Sequence, residues 1–284
     1  MEIGKAAVLG FGTMGSEIAV LLALAGIETV GYDPFKEAFA RQLPKLEAFV
    51  AKQRKLSDGD KAAAMARLKT TSDIGDVRGA AFVVEASLEL KEVKHELLGE
   101  LGGVTDEKTI IATNTSSMSI SELAAMYKHP NRFLGMHFFN PATTMSLVEV
   151  VPGMLTDEDA VTDAMALAER IGKNPIRVKE TPGFVVNRIL IALMFEAIAL
   201  LDDGIATLED IDVAMRRGAG FPLGPFKLAD LVGLDVLMHA GEVLYAELGS
   251  DKFKPPYSLK KMVAAGYIGK KAGRGFYDYS KEAE

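Results

Sequence analysis

The chain contains no cysteine, which excludes disulfides, zinc–thiolate centres, iron–sulfur clusters and cysteine nucleophiles. Basic charge is not in surplus either. With 32 Lys/Arg against 39 Asp/Glu the net charge is −7, which argues against a general nucleic-acid binder. Long apolar runs are missing too: Ile18–Ile27 and Ile189–Phe195 fall short of the ~20 residues a bilayer-spanning helix needs, so no membrane association is expected. One lysine and no long apolar stretch precede the first glycine turn, so no signal peptide is expected. Only four histidines are present, which leaves few candidates for histidine chemistry. No repeat or low-complexity tract suggests a fibrous or disordered chain. No metal site is expected, and a cysteine-free chain is at ease in a reducing compartment such as the cytoplasm.

What is present is ordinary globular composition: 284 residues, 49% hydrophobic and 25% charged. That length suggests two domains at a prior of ~150 residues each. Short apolar runs alternate with helical patterns in the first half. Strands are expected at Ala6–Leu9, Ile27–Tyr32, Ala81–Glu85 and Thr109–Thr113. Helical spacing runs from Met14 to Ala25, from Pro34 to about Arg67, and from Lys91 to Leu101. Such alternation implies right-handed βαβ crossovers and a parallel sheet. Further strands read at Phe133–Phe139, Leu147–Val151 and Ile176–Val178. Ser119 with Glu122, and Thr156 with Asp159, have capping-box spacing, and Gly172 is a plausible helix stop. Beyond Thr181-Pro182-Gly183 the pattern is helical, with a nearly all-apolar helix at Ile189–Leu201, a capped helix from Thr207 and another at Leu234–Leu248. The expected architecture is therefore α/β: a Rossmann-type, mainly parallel sheet with antiparallel strands at its end over residues 1–181, and an all-α domain over residues 182–284.

Gly10-Phe11-Gly12-Thr13-Met14-Gly15 matches G-x-G-x-x-G, with a strand before it and a helix after it. Gly10 permits the tight turn, Gly12 lets the backbone approach a pyrophosphate, and Gly15 allows close helix–strand packing. Asp33 lies at the end of the next strand, where an acid accepts hydrogen bonds from a ribose and repels the extra phosphate of NADP. NAD is the expected cofactor.

His137 and Glu149 each interrupt an apolar strand, and each would be costly to bury alone. If the two strands pair as a hairpin centred on Thr143, positions 137 and 149 fall opposite each other with Cβ atoms ~5 Å apart. Such a pair is a general base with its orienting acid, or a structural ion pair. His95, His129 and His239 carry no such partner signal and read as surface or packing residues.

These motifs resemble the L-3-hydroxyacyl-CoA dehydrogenases, in their short bacterial form, over nearly the whole chain. The resemblance rests on the glycine turn, Val84-Glu85-Ala86, Asn114-Thr115-Ser116-Ser117, His137-Phe138-Phe139-Asn140-Pro141, Thr181-Pro182-Gly183-Phe184-Val185-Val186-Asn187-Arg188, Gly224-Pro225-Phe226 and Gly275-Phe276-Tyr277. It implies His137 as catalytic base, Glu149 as its partner, and Ser116 and Asn187 near the reacting oxygen or thioester. It places Glu89, Lys94, Asn140 and Lys271 with Gly10–Gly15 and Asp33 on the cofactor. It implies an acyl-CoA substrate, short in chain, and a homodimer formed through the helical domain. Read without the family, Ser116 and Asn187 are helix caps and Glu89 and Lys94 exposed helix charges. Two features depart from the pattern: Leu90 follows Glu89 where relatives carry Asn or Asp, and the helix after Asp33 is shortened, with Pro44 inside it and no serine that matches the family's CoA contact. The segment Lys36–Lys69 carries nine Lys/Arg against four Asp/Glu, so Lys52 and Lys55 are candidates for the CoA phosphates. The rival expectations are a CoA-independent hydroxy-acid or sugar-acid dehydrogenase, similar to L-gulonate dehydrogenase, and a non-catalytic NAD-binding protein.

Overall fold

A computed structural model describes residues 2–280, which divide into two compact units at the boundary between Glu180 and Thr181. The first is built on one eight-stranded sheet in the order β3-β2-β1-β4-β5-β6-β7-β8. Its strands are β1 (Lys5–Leu9), β2 (Glu28–Tyr32), β3 (Leu68–Thr71), β4 (Phe82–Glu85), β5 (Ile110–Thr113), β6 (Phe133–Phe138), β7 (Leu147–Pro152) and β8 (Asn174–Arg177). All neighbours pair in parallel except β6 with β7. β4 and β5 are buried at every position, as expected of strands covered by helices on both faces. The order reverses between β1 and β4, which opens the crevice where doubly wound sheets hold ligands.

The helices of this unit are α1 (Thr13–Leu24), α2 (Lys36–Ala51), α3 (Asp58–Arg67), α4 (Lys91–Val104), α5 (Ile120–Ala124) and α6 (Glu158–Arg170). The continuous helix expected from Pro34 to Arg67 is in fact two. Ser57 breaks it by accepting a hydrogen bond from Asp60 N while the Asp60 carboxylate accepts from Ser57 N, a complete capping box. Pro44 does not break α2, because it lies on the exposed face where water can bond the carbonyl it orphans. Two other expectations shift. Asp157, not Thr156, is the N-cap of α6; the Thr156 hydroxyl instead donates to Phe133 O and accepts from Gly153 N. The last strand spans Asn174–Arg177 rather than Ile176–Val178, and as an edge strand it tolerates Pro175.

The second unit is helical: α7 (Val186–Asp202), α8 (Leu208–Gly218), α9 (Pro225–Val232), α10 (Leu234–Leu248) and α11 (Tyr257–Ala264). Its core joins Ile191, Met194, Phe195 and Ile198 of α7 with Phe226, Leu237, Leu244 and Leu259. Two buried carboxylates staple it. Asp212 accepts from Phe226 N and Lys227 N in the first turn of α9 and from the Tyr277 hydroxyl. Asp230 accepts from Phe276 N, Tyr277 N and the Tyr279 hydroxyl. Burial pushes the Asp230 carboxyl up, against these hydrogen bonds.

Asp230→Ala would strand two part-buried N–H groups, each of which bonds a charged acceptor worth ~1.5–3 kcal/mol. The expected loss is at least ~3 kcal/mol from this unit, read as a lower urea midpoint and faster tryptic cleavage at Arg274. An unchanged midpoint and cleavage rate would show that the C-terminal segment is held by other contacts.

Candidate active site

The turn between β1 and α1 is shaped by its glycines. Gly10 has φ +88°, and a Cβ there would lie 2.6 Å from Ala86 O. A Cβ on Gly15 would lie 1.8 Å from Gly10 O, so the helix can start here only on a bare backbone. Around Gly12 a Cβ would meet nothing within 4 Å, and no side chain caps α1. The helix N-terminus therefore faces open space with its donors uncovered, which fits a dinucleotide pyrophosphate.

The Phe11 side chain does not face that space. Its ring is fully buried, edge-on to Phe39 with centroids 5.3 Å apart, and rests on Gly31. Phe11 thus serves the turn through its backbone: its N–H donates to Asp33 Oδ2 at 2.8 Å. Asp33 Oδ1 accepts from Phe35 N at 3.0 Å, which fixes the carboxylate while lone pairs remain for ribose hydroxyls. Beside it lies a cleft of about 740 Å³ lined by Gly10, Gly12, Asp33 and Ala86. The charged residues lining it are Asp33, Glu37, Glu96 and Glu100 against Arg41. That balance is hostile to a second phosphate on the ribose. Burial, together with the Glu100 and Asp33 charges, pushes the Tyr32 phenol up.

At the other end of the crevice, β6 and β7 pair in the register that sets His137 opposite Glu149. The His137 Nδ1 to Glu149 Oε2 distance is 2.7 Å, with Glu149 fully buried and His137 6% exposed. The connecting turn is pinned from two sides. Thr143 N donates to Glu17 Oε2 of α1, and Lys173 Nζ donates to Met145 O. Burial lowers the Lys173 pKa, against the attraction of Glu17.

Ser116 lies in the turn after β5, three residues before the Ser119 that caps α5, so it is not itself a cap. Asn114 Oδ1 accepts from Phe138 N, tying this turn to the strand position next to His137. Lys94 is not an exposed helix charge, and Glu89, though exposed, lies before α4 rather than on it. Lys94 is 1% exposed and donates to both Glu85 oxygens at 2.8 Å. Glu89 lies 3.4 Å from Lys94 and accepts from Ser116 N, Thr115 Oγ1 and Ser117 Oγ. Burial would raise the Glu89 pKa, but the Lys94 charge and these hydrogen bonds outweigh it and hold the carboxyl below its usual value. Glu85 and Thr113, which donates to Glu85, are site residues that strand patterning alone does not single out. The available signal was an acid ending an apolar strand.

Asn140 is exposed after β6, preceding a cis Pro141. Lys52 ends α2 and Lys55 lies on the turn before α3, both exposed, so the expected basic helix is a helix–turn–helix there. In the second unit Asn187 is in the first turn of α7, whose N-cap is Val185, and Lys271 pairs with Asp235 at 2.7 Å. His95 and His239 are exposed and His129 half-buried.

A family model for the 3-hydroxyacyl-CoA dehydrogenase NAD binding domain matches residues 5–181, and one for the 3-hydroxyacyl-CoA dehydrogenase C-terminal domain matches residues 183–279. The chain is 41% identical over 280 residues to a 3-hydroxybutyryl-CoA dehydrogenase of Clostridioides difficile, covering 98% of this chain and 100% of that one. It is 40% identical over 285 residues to a probable 3-hydroxybutyryl-CoA dehydrogenase of Bacillus subtilis, covering 99% of each. The crystal structure of an (S)-3-hydroxybutyryl-CoA dehydrogenase from Ralstonia eutropha matches with a TM-score of 0.95 and 41% identity, covering 98% of this chain and 99% of that one. The cofactor is accordingly NAD, and the open turn and the Asp33 cleft fit it.

The specificity constant for NADH should exceed that for NADPH by at least about tenfold, the ~1.4 kcal/mol expected of Asp33 facing a ribose phosphate. Steady-state rates with the two cofactors measure this, and equal use of both would remove the role of Asp33.

Proposed function

The chain belongs to the 3-hydroxyacyl-CoA dehydrogenase family, and from that premise we propose that it interconverts a short-chain L-3-hydroxyacyl-CoA, such as 3-hydroxybutyryl-CoA, and the 3-ketoacyl-CoA with NAD. The observation that carries the chemistry is the 2.7 Å contact between His137 and the fully buried Glu149. NAD, when bound, accepts the hydride from the hydroxyl-bearing carbon in oxidation and returns it in reduction. His137 takes the hydroxyl proton in the forward direction and gives it back to the carbonyl oxygen in reverse. With Nδ1 directed at Glu149, Nε2 is the nitrogen assigned to that proton. Glu149 fixes the tautomer and balances the imidazolium.

Ser116 and Asn187 are assigned to the reacting oxygen and thioester as hydrogen-bonding groups. Glu89, with Lys94 behind it, and Asn140 and Lys271 are assigned to the cofactor alongside Gly10–Gly15 and Asp33. Lys52 and Lys55 are offered to the phosphates of CoA, and the cytoplasm is the proposed location because its pools of NAD and acyl-CoA supply both ligands. Among the described residues no helix is long and apolar enough to cross a membrane. A homodimer through residues 182–284 is supported by the apolar surface that unit leaves open: Ile189 of α7 is 60% exposed, Leu231 61% and Val236 49%.

An absorbance assay of NADH oxidation should show turnover with acetoacetyl-CoA and none with free acetoacetate. Comparable turnover of the free acid would point to the CoA-independent reading, and none with either to a non-catalytic protein. His137→Gln should fold and bind NADH while losing ~10²–10⁴-fold in kcat, the usual worth of a positioned base. Near wild-type turnover in that variant would remove His137 from the mechanism. Lys52→Ala with Lys55→Ala should raise the KM for acetoacetyl-CoA by roughly 3–10-fold at unchanged kcat, as expected of solvent-screened phosphate contacts; no change in KM would free both lysines of that role. Light scattering at micromolar concentration should give about twice the chain mass, and a fully active monomer would make α7 the core of its own unit alone.

A further inference from the structure

Glu85, Lys94 and Glu89 form a cluster that reaches from the buried end of β4 to the turn holding Ser116. Glu85 is fully buried and accepts from Lys94 Nζ on both oxygens, from Ser87 N at 2.8 Å, and from the hydroxyls of Ser87 and Thr113 at 2.6 Å. Every acceptor site on this carboxylate has a directed donor, so the Lys94 ammonium is held in one place. From there it lies 3.4 Å from Glu89 Oε2. The opposite oxygen, Glu89 Oε1, accepts from Ser116 N at 2.9 Å, from Ser117 Oγ at 3.2 Å and from Thr115 Oγ1. Thr115 Oγ1 in turn accepts from Met118 N at 3.1 Å. One oxygen of Glu89 therefore faces the buried cation and the other gathers three consecutive residues of the turn. A cofactor contact by itself would need none of these three donors.

We propose that Glu89 is a positioning residue for Ser116, locked by the buried Glu85–Lys94 ion pair, so that the orientation of Ser116 toward substrate is set from inside the sheet. The proposal rests on the role assigned above to Ser116. Asn114 carries the same turn on its other side through Phe138 N, adjacent to His137, so the two reacting groups share one hydrogen-bonded frame. Misplacing a hydrogen-bonding group by about an ångström is enough to lower turnover by up to ~100-fold without touching the fold or the base.

The test is a double-mutant cycle of Glu89→Ala and Ser116→Ala, with kcat read at saturating NADH and acetoacetyl-CoA so that weakened cofactor binding drops out. NADH dissociation constants by fluorescence and melting temperatures serve as controls. Each single variant should lose ~10–100-fold in kcat, and the double variant should fall within ~2-fold of Ser116→Ala, because Glu89 acts through that side chain. Glu89→Gln, which keeps an oxygen for Ser116 N and Thr115, should recover to within ~3-fold of wild type. If Glu89→Ala does not fold, Glu89→Asp, whose carboxylate is one methylene short of the turn, takes its place in the cycle. Losses that multiply in the double variant would show that Glu89 works independently of Ser116 and would overturn this proposal alone. Wild-type turnover in Ser116→Ala would overturn the role of Ser116 itself, and the proposal with it.

Discussion

Glu149 has no exposed surface, and a carboxylate buried without a partner costs several kcal/mol even after relaxation. That constraint governs the far half of the sheet. The compensating group is on the neighbouring strand at the one position directly opposite, so β6 and β7 must run antiparallel in this register. A slip of one residue would turn His137 to the other face and leave the carboxylate stranded. The turn between the two strands is held by Glu17 of α1 and by Lys173 in the connection between α6 and β8. The pair that does the proposed proton chemistry is thus also what specifies how the sheet ends.

The same economy of position recurs along the crevice. Parallel strands deliver their C-terminal ends to one edge of the sheet. β2 is followed by Asp33, β4 ends on Glu85 and β5 on Thr113, each with its side chain already bonded. Polar groups at this edge are held by backbone donors or by one another, which is how charged residues persist at the border of an apolar core. Asp33 spends only part of its bonding capacity internally and keeps the remainder for ligand, whereas Glu85 and Thr113 are fully buried and satisfied within the unit.

The strands of the centre were readable because they are apolar without interruption, and His137 and Glu149 stood out because each breaks such a run. β3 was not readable: Leu68–Thr71 contains a single buried residue, and an edge strand needs no apolar pattern. The break between α2 and α3 was legible in Ser57 and Asp60 but was overridden by helical spacing on both sides. Thr156 and Asp159 show the opposite error, since the spacing of a capping box was present while the hydroxyl bonded elsewhere. The Glu85–Lys94–Glu89 cluster could not be foreseen from spacing, because its members lie on β4, on α4 and between them and meet only through the tertiary fold.

Phe11 sits between the two glycines of the phosphate-facing turn, yet its ring is as buried as any residue of the core and rests on Phe39 and Gly31. The turn is therefore nailed into the hydrophobic nucleus of its unit rather than draped over it. Loops that must order themselves around a ligand surrender conformational entropy on every binding event. Here that ordering is completed once, when the chain folds, and its free energy is drawn from burial of an aromatic ring. The amide of Phe11 consequently belongs with the slowest-exchanging class of the protein, released by unfolding of the whole unit and not by local breathing.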